Sequence, residues 1–202
     1  MGDERMKKIM FNDRYGLTQA VLDGKKTMTR RIVPIDLYNQ TDWKAVAEGD
    51  LEAVVDGEGY YHDIRNCGKY RVGEEVAIAQ SYEAIGLTFI SPPDTQWGCT
   101  YEMQGYSNKM FVRADLMPHR IRITNIKVER LQDISDEDCM KEGVEKWIDC
   151  YIVSGIMENQ GKNNVCFDTP REAFAALIDR ISGKGTWNRN PWVHVYTFEL
   201  LR

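Results

Sequence analysis

No run of apolar residues in this 202-residue chain reaches the roughly 20 residues that a bilayer-spanning helix needs. The first eight residues are charged and lack the apolar core of a signal peptide. Met1-Gly2 is followed by Met6, where a myristoylation motif wants Ser or Thr. The expected location is therefore cytoplasmic, with no membrane contact. Cysteine is sparse and scattered: Cys67, Cys99, Cys139, Cys150 and Cys166 are odd in number and form no C-x-x-C. That pattern argues against a zinc site or a disulfide framework and predicts free thiols, with no metal and no cofactor. Basic excess is missing too: 26 Lys and Arg face 31 Asp and Glu, a net charge of −5. A broad nucleic-acid-coating face is thereby excluded, though one local basic pocket is not. There are no repeats and no low-complexity block. With only three histidines, His62, His119 and His194, no Ser-His-Asp or Cys-His triad can be assembled. Gly183-Lys184-Gly185-Thr186 lacks the G-x-x-x-x-G-K-[ST] frame of a phosphate loop.

What the chain does have is 43% apolar and 28% charged residues, enough for a packed core. Lys7 to Phe11 reads as a first strand. Asn12 or Asp13 caps a helix running to Asp23, ended by Gly24 in the left-handed conformation. Thr27 to Val33 alternates as a strand, and Pro34 closes it. Residues 34–70 have weak periodicity and read as an insertion, partly hairpin; residues 86–109 and 147–168 read as further insertions. Val76, Ile78, Gln80 and Tyr82 share one strand face, and Met110 to Asp115 suggests another strand. Arg120 to Leu131 is a strong strand whose apolar parity switches, which predicts a bulge near Thr124-Asn125. Ser135 caps a short helix that Gly143 ends. Thr169, Pro170 and Glu172 open a longer helix with the apolar face Phe174, Leu177, Ile178 and Ile181. Trp192 to Leu201 is apolar on nearly both faces, as a central strand would be. The expected fold is mixed α+β: a small mixed or closed sheet with helices at its edges.

The chemically densest segment is 22–31, where Lys25, Lys26, Arg30 and Arg31 crowd with Thr27 and Thr29 around Gly24. Like charges at this density cost free energy unless an anionic partner is near. A second unusual position is Glu142, at the end of the helix capped by Ser135. A carboxylate there opposes the helix dipole at a cost of ~0.3–1 kcal/mol, so either it is exposed or the fold brings it a cation. Lys26 and Arg31 are the candidates.

Gly24, Lys26, Thr29 and Arg31 spell a G-x-K-x-x-T-x-R turn, and Ile134 to Gly143 is a short acidic-capped helix ending in Glu-Gly. With these two features the chain resembles the ASCH domain family. The segments Val128 to Ile134 and Asn190 to Phe198 look like a longer subset found in phage and prophage neighbourhoods. The resemblance implies one PUA-like β-barrel domain over residues 1–202, with the three insertions. It also implies a role in binding RNA or a modified nucleoside or base, with oligomeric state open. Some short members hydrolyse N(4)-acetylcytidine, and their Lys, Thr and Glu match Lys26, Thr29 and Glu142. The subset's strand continues after the position of Ile78 with an Arg-Glu pair; here Ala79-Gln80 stands instead, which would alter the ligand.

Three functions follow as alternatives: a nucleoside- or RNA-binding module, an amidohydrolase of N(4)-acylated cytidine, or a protein-interaction factor of a mobile element. In the second, Lys26 loses its proton through desolvation and like charge, Thr29 attacks the amide carbonyl, and Glu142 orients Lys26. Arg31 shares strand parity with Thr29 and reaches the same ligand, while Arg30 points away to a surface ion pair. Lys25, Gln80, Tyr82, Lys184 and Trp192 complete the candidate ligand set; for Tyr82 and Trp192, base stacking competes with core packing. His194 reads as a satisfied core histidine.

Overall fold

The computed structural model describes residues 6–90, 98–158 and 163–201. Among the described residues, seventeen helices and strands follow one another. They are β1 (Lys8–Ile9), α1 (Leu17–Leu22), β2 (Met28–Ile32), α2 (Ile35–Asn39), α3 (Trp43–Ala47), β3 (Val54–Val55), β4 (Tyr61–His62), β5 (Glu75–Ile78) and β6 (Phe89–Ile90). After them come β7 (Gly98–Cys99), β8 (Arg120–Arg130), α4 (Asp136–Lys141), β9 (Glu145–Trp147), β10 (Cys150–Ile152), α5 (Pro170–Ser182), α6 (Thr186–Arg189) and β11 (Trp192–Leu201). Five strands form one mixed sheet in the order β1-β5-β8-β11-β2; β1 pairs with β5 in parallel and the other pairs are antiparallel. The hairpins β3–β4, β6–β7 and β9–β10 stand outside it.

The long strands behave as their patterns require. β11 lies between β8 and β2, and its residues from Trp192 to Tyr196 are all buried, which explains why apolar side chains occupy both of its faces. Asn125 faces Thr197 and Ile123 faces Phe198, so Thr124 is the extra residue of a bulge that switches the buried parity of β8. The Ser135 hydroxyl accepts from the Asp138 N–H (3.1 Å) and starts α4. The Thr169 hydroxyl accepts from the Glu172 N–H (3.2 Å), and α5 turns Ala173, Phe174, Leu177 and Ile178 into the main core.

Several expectations are corrected. No closed barrel forms among the described strands: β1 and β2 are the two sheet edges and do not pair. β1 is only two residues long, and on the far edge Pro34, with no N–H, follows soon after β2. The helix expected from residue 12 breaks at Gly16 (φ 63°), with a single 3-10 turn before it and α1 after it. Residues 34–70 hold two short helices besides their hairpin. Residues 110–115, expected as a strand, fall within two 3-10 turns, Lys109–Phe111 and Ala114–Leu116, the first capped by Asn108. Cys150 and Cys166 form a disulfide, with Cα atoms 5.6 Å apart, contrary to the free thiols expected. Spacing along the chain misses it because Tyr151 and Phe167 pair as an antiparallel bridge, bringing distant cysteines side by side. Residues 91–97 of the expected insertion 86–109, and 159–162 of 147–168, lie outside the described residues. Among the described residues, no helix is long and apolar enough to cross a membrane, and no His/Cys/Asp/Glu cluster suits a metal ion.

Candidate functional site

A cavity of about 1000 Å³ opens where β1 and β2 fail to meet. One wall is the loop after β1 (residues 10–14); opposite it stand Thr29 to Ile32 of β2 and Val193, His194 and Tyr196 of β11. Residues 67–70 and one face of α5 close the remaining sides. The Arg31 guanidinium spans the gap, donating to the Met10 carbonyl (2.9 Å) and the Arg30 carbonyl (3.2 Å).

Two remote pieces of chain build the floor. Lys26 still belongs to the turn after α1, since its N–H donates to the Ala20 carbonyl (2.9 Å). The next residue ties the turn to the end of α4: the Thr27 N–H donates to the Lys141 carbonyl (3.1 Å). Gly143 follows Glu142 with φ 105°, a backbone conformation that side-chain-bearing residues rarely adopt, which suits glycine. The result is a buried ion cluster. Lys26 Nζ donates to Glu142 Oε2 (2.7 Å), to the Glu142 carbonyl (2.8 Å) and to the Met28 carbonyl (2.7 Å). Lys26 is 2% exposed and Glu142 4%. Arg30 donates to Glu142 Oε1 (3.0 Å), to Glu129 Oε1 (2.6 Å) and to Asp138 Oδ2 (3.3 Å). The carboxylate that opposes the α4 dipole thus faces two cations, which offset that cost.

Burial pulls the Lys26 pKa below its ordinary value; Glu142 pulls upward, and Arg31 and Arg30 add to the lowering. Three protons meeting three acceptors is nevertheless the geometry of an ammonium held in place. Thr29, 2% exposed, also lines the cavity, and its hydroxyl makes no hydrogen bond to any described residue. His194 is buried and its Nε2 bonds the Ile64 carbonyl (2.9 Å); burial lowers its pKa, and its ring stacks on Tyr196 at 5.9 Å.

The rim is different. Arg14, Arg31 and Lys69 line the cavity without a carboxylate partner among the described residues, while Lys109 pairs with Asp13 (2.7 Å). In all, six Lys and Arg side chains line the cavity against two acidic ones, on a chain of net charge −5.

Of the residues singled out from the sequence, Lys26, Thr29, Arg31 and Glu142 come together here. Lys25 is exposed and faces Glu145 (3.4 Å), outside the lining. Lys184 sits on the exposed turn after α5, also outside. Tyr82 is buried against Ala77, Ala79, Val112 and Met117, and its hydroxyl accepts from the Arg113 N–H (3.0 Å). Gln80, with Oε1 buried and unpartnered, lies in the same region, away from the cavity. Trp192 packs with Val33, Val46 and Ile64 and borders a separate groove.

Arg30 is corrected: it is no surface residue. Strand parity placed it opposite Thr29, and that face of β2 is covered by α4 and by Phe174 of α5, whose ring lies 5.9 Å from the guanidinium carbon. Arg14, Lys69 and Lys109 were missed; each comes from a separate loop, and no spacing along the chain relates them.

Fold and site define a mixed α+β domain with a cation-walled cavity at an open sheet edge. No family model and no curated protein matches the chain. In fold it is similar to a DUF984 protein of Enterococcus faecalis V583, with 13% identity over 98% of this chain and 78% of that one, at a TM-score of 0.38. It is likewise similar to an ASCH domain from Lactobacillus crispatus JV V101, with 10% identity over 97% and 79% of the two chains, at a TM-score of 0.36. What the cavity can do is read from its own geometry.

Proposed function

We propose that the protein binds RNA or a modified nucleoside in the large cavity. The observation that carries this reading is the cation-rich wall on an acidic chain, with Arg14, Arg31 and Lys69 uncommitted to carboxylates among the described residues. An anionic sugar-phosphate satisfies them, and Arg31 offers planar donors to phosphate or carbonyl oxygen. Isothermal titration calorimetry with cytidine monophosphate and hexacytidylate RNA tests it: binding by wild type and its loss in Arg31→Ala/Lys69→Ala are expected. Absence of binding to either ligand at millimolar concentration rejects the reading.

A second reading, hydrolysis of an N(4)-acylated cytidine, is favoured by the Lys26–Glu142 contact and an unpartnered Thr29 hydroxyl lining the same cavity. Lys26 must first pass a proton to Glu142 Oε2, its nearest carboxylate oxygen, and then take the Thr29 proton as the hydroxyl attacks the acyl carbonyl; that proton goes to the departing cytosine N4 as the amide C–N bond breaks, and water then releases the acyl group from Thr29. Release of cytidine by wild type and its loss in Thr29→Val are expected; equal rates reject this chemistry and leave the binding role standing.

A further inference from the structure

Beside the large cavity lies a groove of about 470 Å³, and Ile32 and Pro34 form part of both walls. Its other walls are Val33, Ile35, Tyr38, Pro191 and Trp192. None of these side chains is charged. Tyr38 heads a column of π systems: its ring stacks on Trp43 at 4.9 Å, Trp43 stacks on Trp192 at 4.8 Å, and the Arg130 guanidinium lies 4.6 Å from the Trp192 ring centre. The column braces Tyr38, yet the residue stays 41% exposed, so a rigid aromatic surface is left uncovered.

Trp192 behaves differently. Trp43 and Arg130 cover its ring. Its indole N–H is buried and finds no acceptor among the described residues. Buried indole N–H groups usually have a partner, and leaving one unmet costs free energy. That donor is closed to the groove; what the groove presents is an exposed ring on an uncharged wall, which suits a nucleobase stacking through its face. A charged peptide finds no counter-charge among these side chains.

We propose that this groove is a second base subsite, so that the ligand is a single-stranded oligonucleotide bridging the cavity and the groove over Ile32 and Pro34. Arg31, next to Ile32 on β2, supplies the cation for the linking phosphate. The proposal rests on the large cavity being a nucleotide site, and the ligand pair below separates the two claims. Titration calorimetry compares cytidine monophosphate with hexacytidylate on wild type, Tyr38→Ala and Ile35→Asp. Both positions are exposed, so both variants are expected to fold, which thermal melting checks. Wild type is expected to bind the hexamer more tightly than the monomer. Tyr38→Ala should weaken hexamer binding about 5- to 150-fold, the worth of one base–aromatic stack, and leave monomer binding unchanged. Ile35→Asp should weaken the hexamer alone by charge repulsion. Monomer binding with no advantage for the hexamer overturns this proposal and spares the cavity reading. Hexamer binding indifferent to both substitutions does the same. If wild type binds neither ligand, both claims fall.

Discussion

The floor and the rim of the large cavity use the same side chains in opposite ways. On the floor, Lys26 and Arg30 are buried and committed to Glu142, Glu129 and Asp138 at 2.6–3.3 Å. At the rim, Arg14, Arg31 and Lys69 have no carboxylate among the described residues. A buried cation survives only with its counter-charge in place, so the floor is a rigid part of the fold. A partly exposed cation keeps its hydration and its freedom, so the rim remains available to an incoming anion. Charge at the floor therefore positions groups, and charge at the rim recruits ligand.

The contrast breaks most visibly at Glu142. Glu142→Ala leaves Lys26 and Arg30 buried without their shared carboxylate, and an expected loss of about 3–5 kcal/mol lowers Tm by roughly 6–20 °C in a thermal melt. A shift under ~2 °C would mean that the floor is not a stabilising unit. Next comes the rim: Lys69→Ala is expected to change stability by less than ~0.5 kcal/mol, and Arg31→Ala, which also gives up its bonds to the Met10 and Arg30 carbonyls, by about 1 kcal/mol. Each should nonetheless reduce the slope of log affinity for RNA against log salt by about 1. A stability loss as large as that of Glu142→Ala would erase the distinction between the two regions.

The smallest effect concerns His194. Burial lowers its pKa from 6.5, so the folded state prefers the neutral ring while the unfolded chain takes up a proton below that value. Stability is then full above pH 6.5 and falls as acid carries the pH down through the lowered folded pKa. Arg71 adds to the lowering, while the bond to the Ile64 carbonyl resists it. Asp138 shifts the same way, because Lys127, Lys141 and Arg30 outweigh the upward push of its burial; its share is lost only at more acidic pH. Urea midpoints from neutral pH to about pH 5 should decline less steeply in His194→Gln than in wild type. Parallel slopes would assign the acid sensitivity elsewhere.

Much of the fold is legible along the chain because its causes are local. The Ser135 and Thr169 caps, the left-handed Gly24 and Gly143, and the bulge at Thr124 each follow from a few neighbouring residues. The same local view fails for residues 110–115, where Asn108 caps a 3-10 turn that alternation alone reads as strand. It fails for Arg30 as well, since parity distinguishes two faces of β2 but does not say that helices cover one of them.

By itself the sequence determined the bounds of the main elements β2, β8, α4, α5 and β11, and marked Lys26, Thr29, Arg31 and Glu142 as candidates. Tertiary structure alone decided which cation meets which carboxylate, that Cys150 reaches Cys166, and that the sheet stays open where β1 and β2 part. Caps, turns and strand parity act between neighbours in the chain, whereas ion pairing, disulfide closure and cavity shape depend on distances in space between residues as far apart as Lys26 and Glu142, 116 positions from each other.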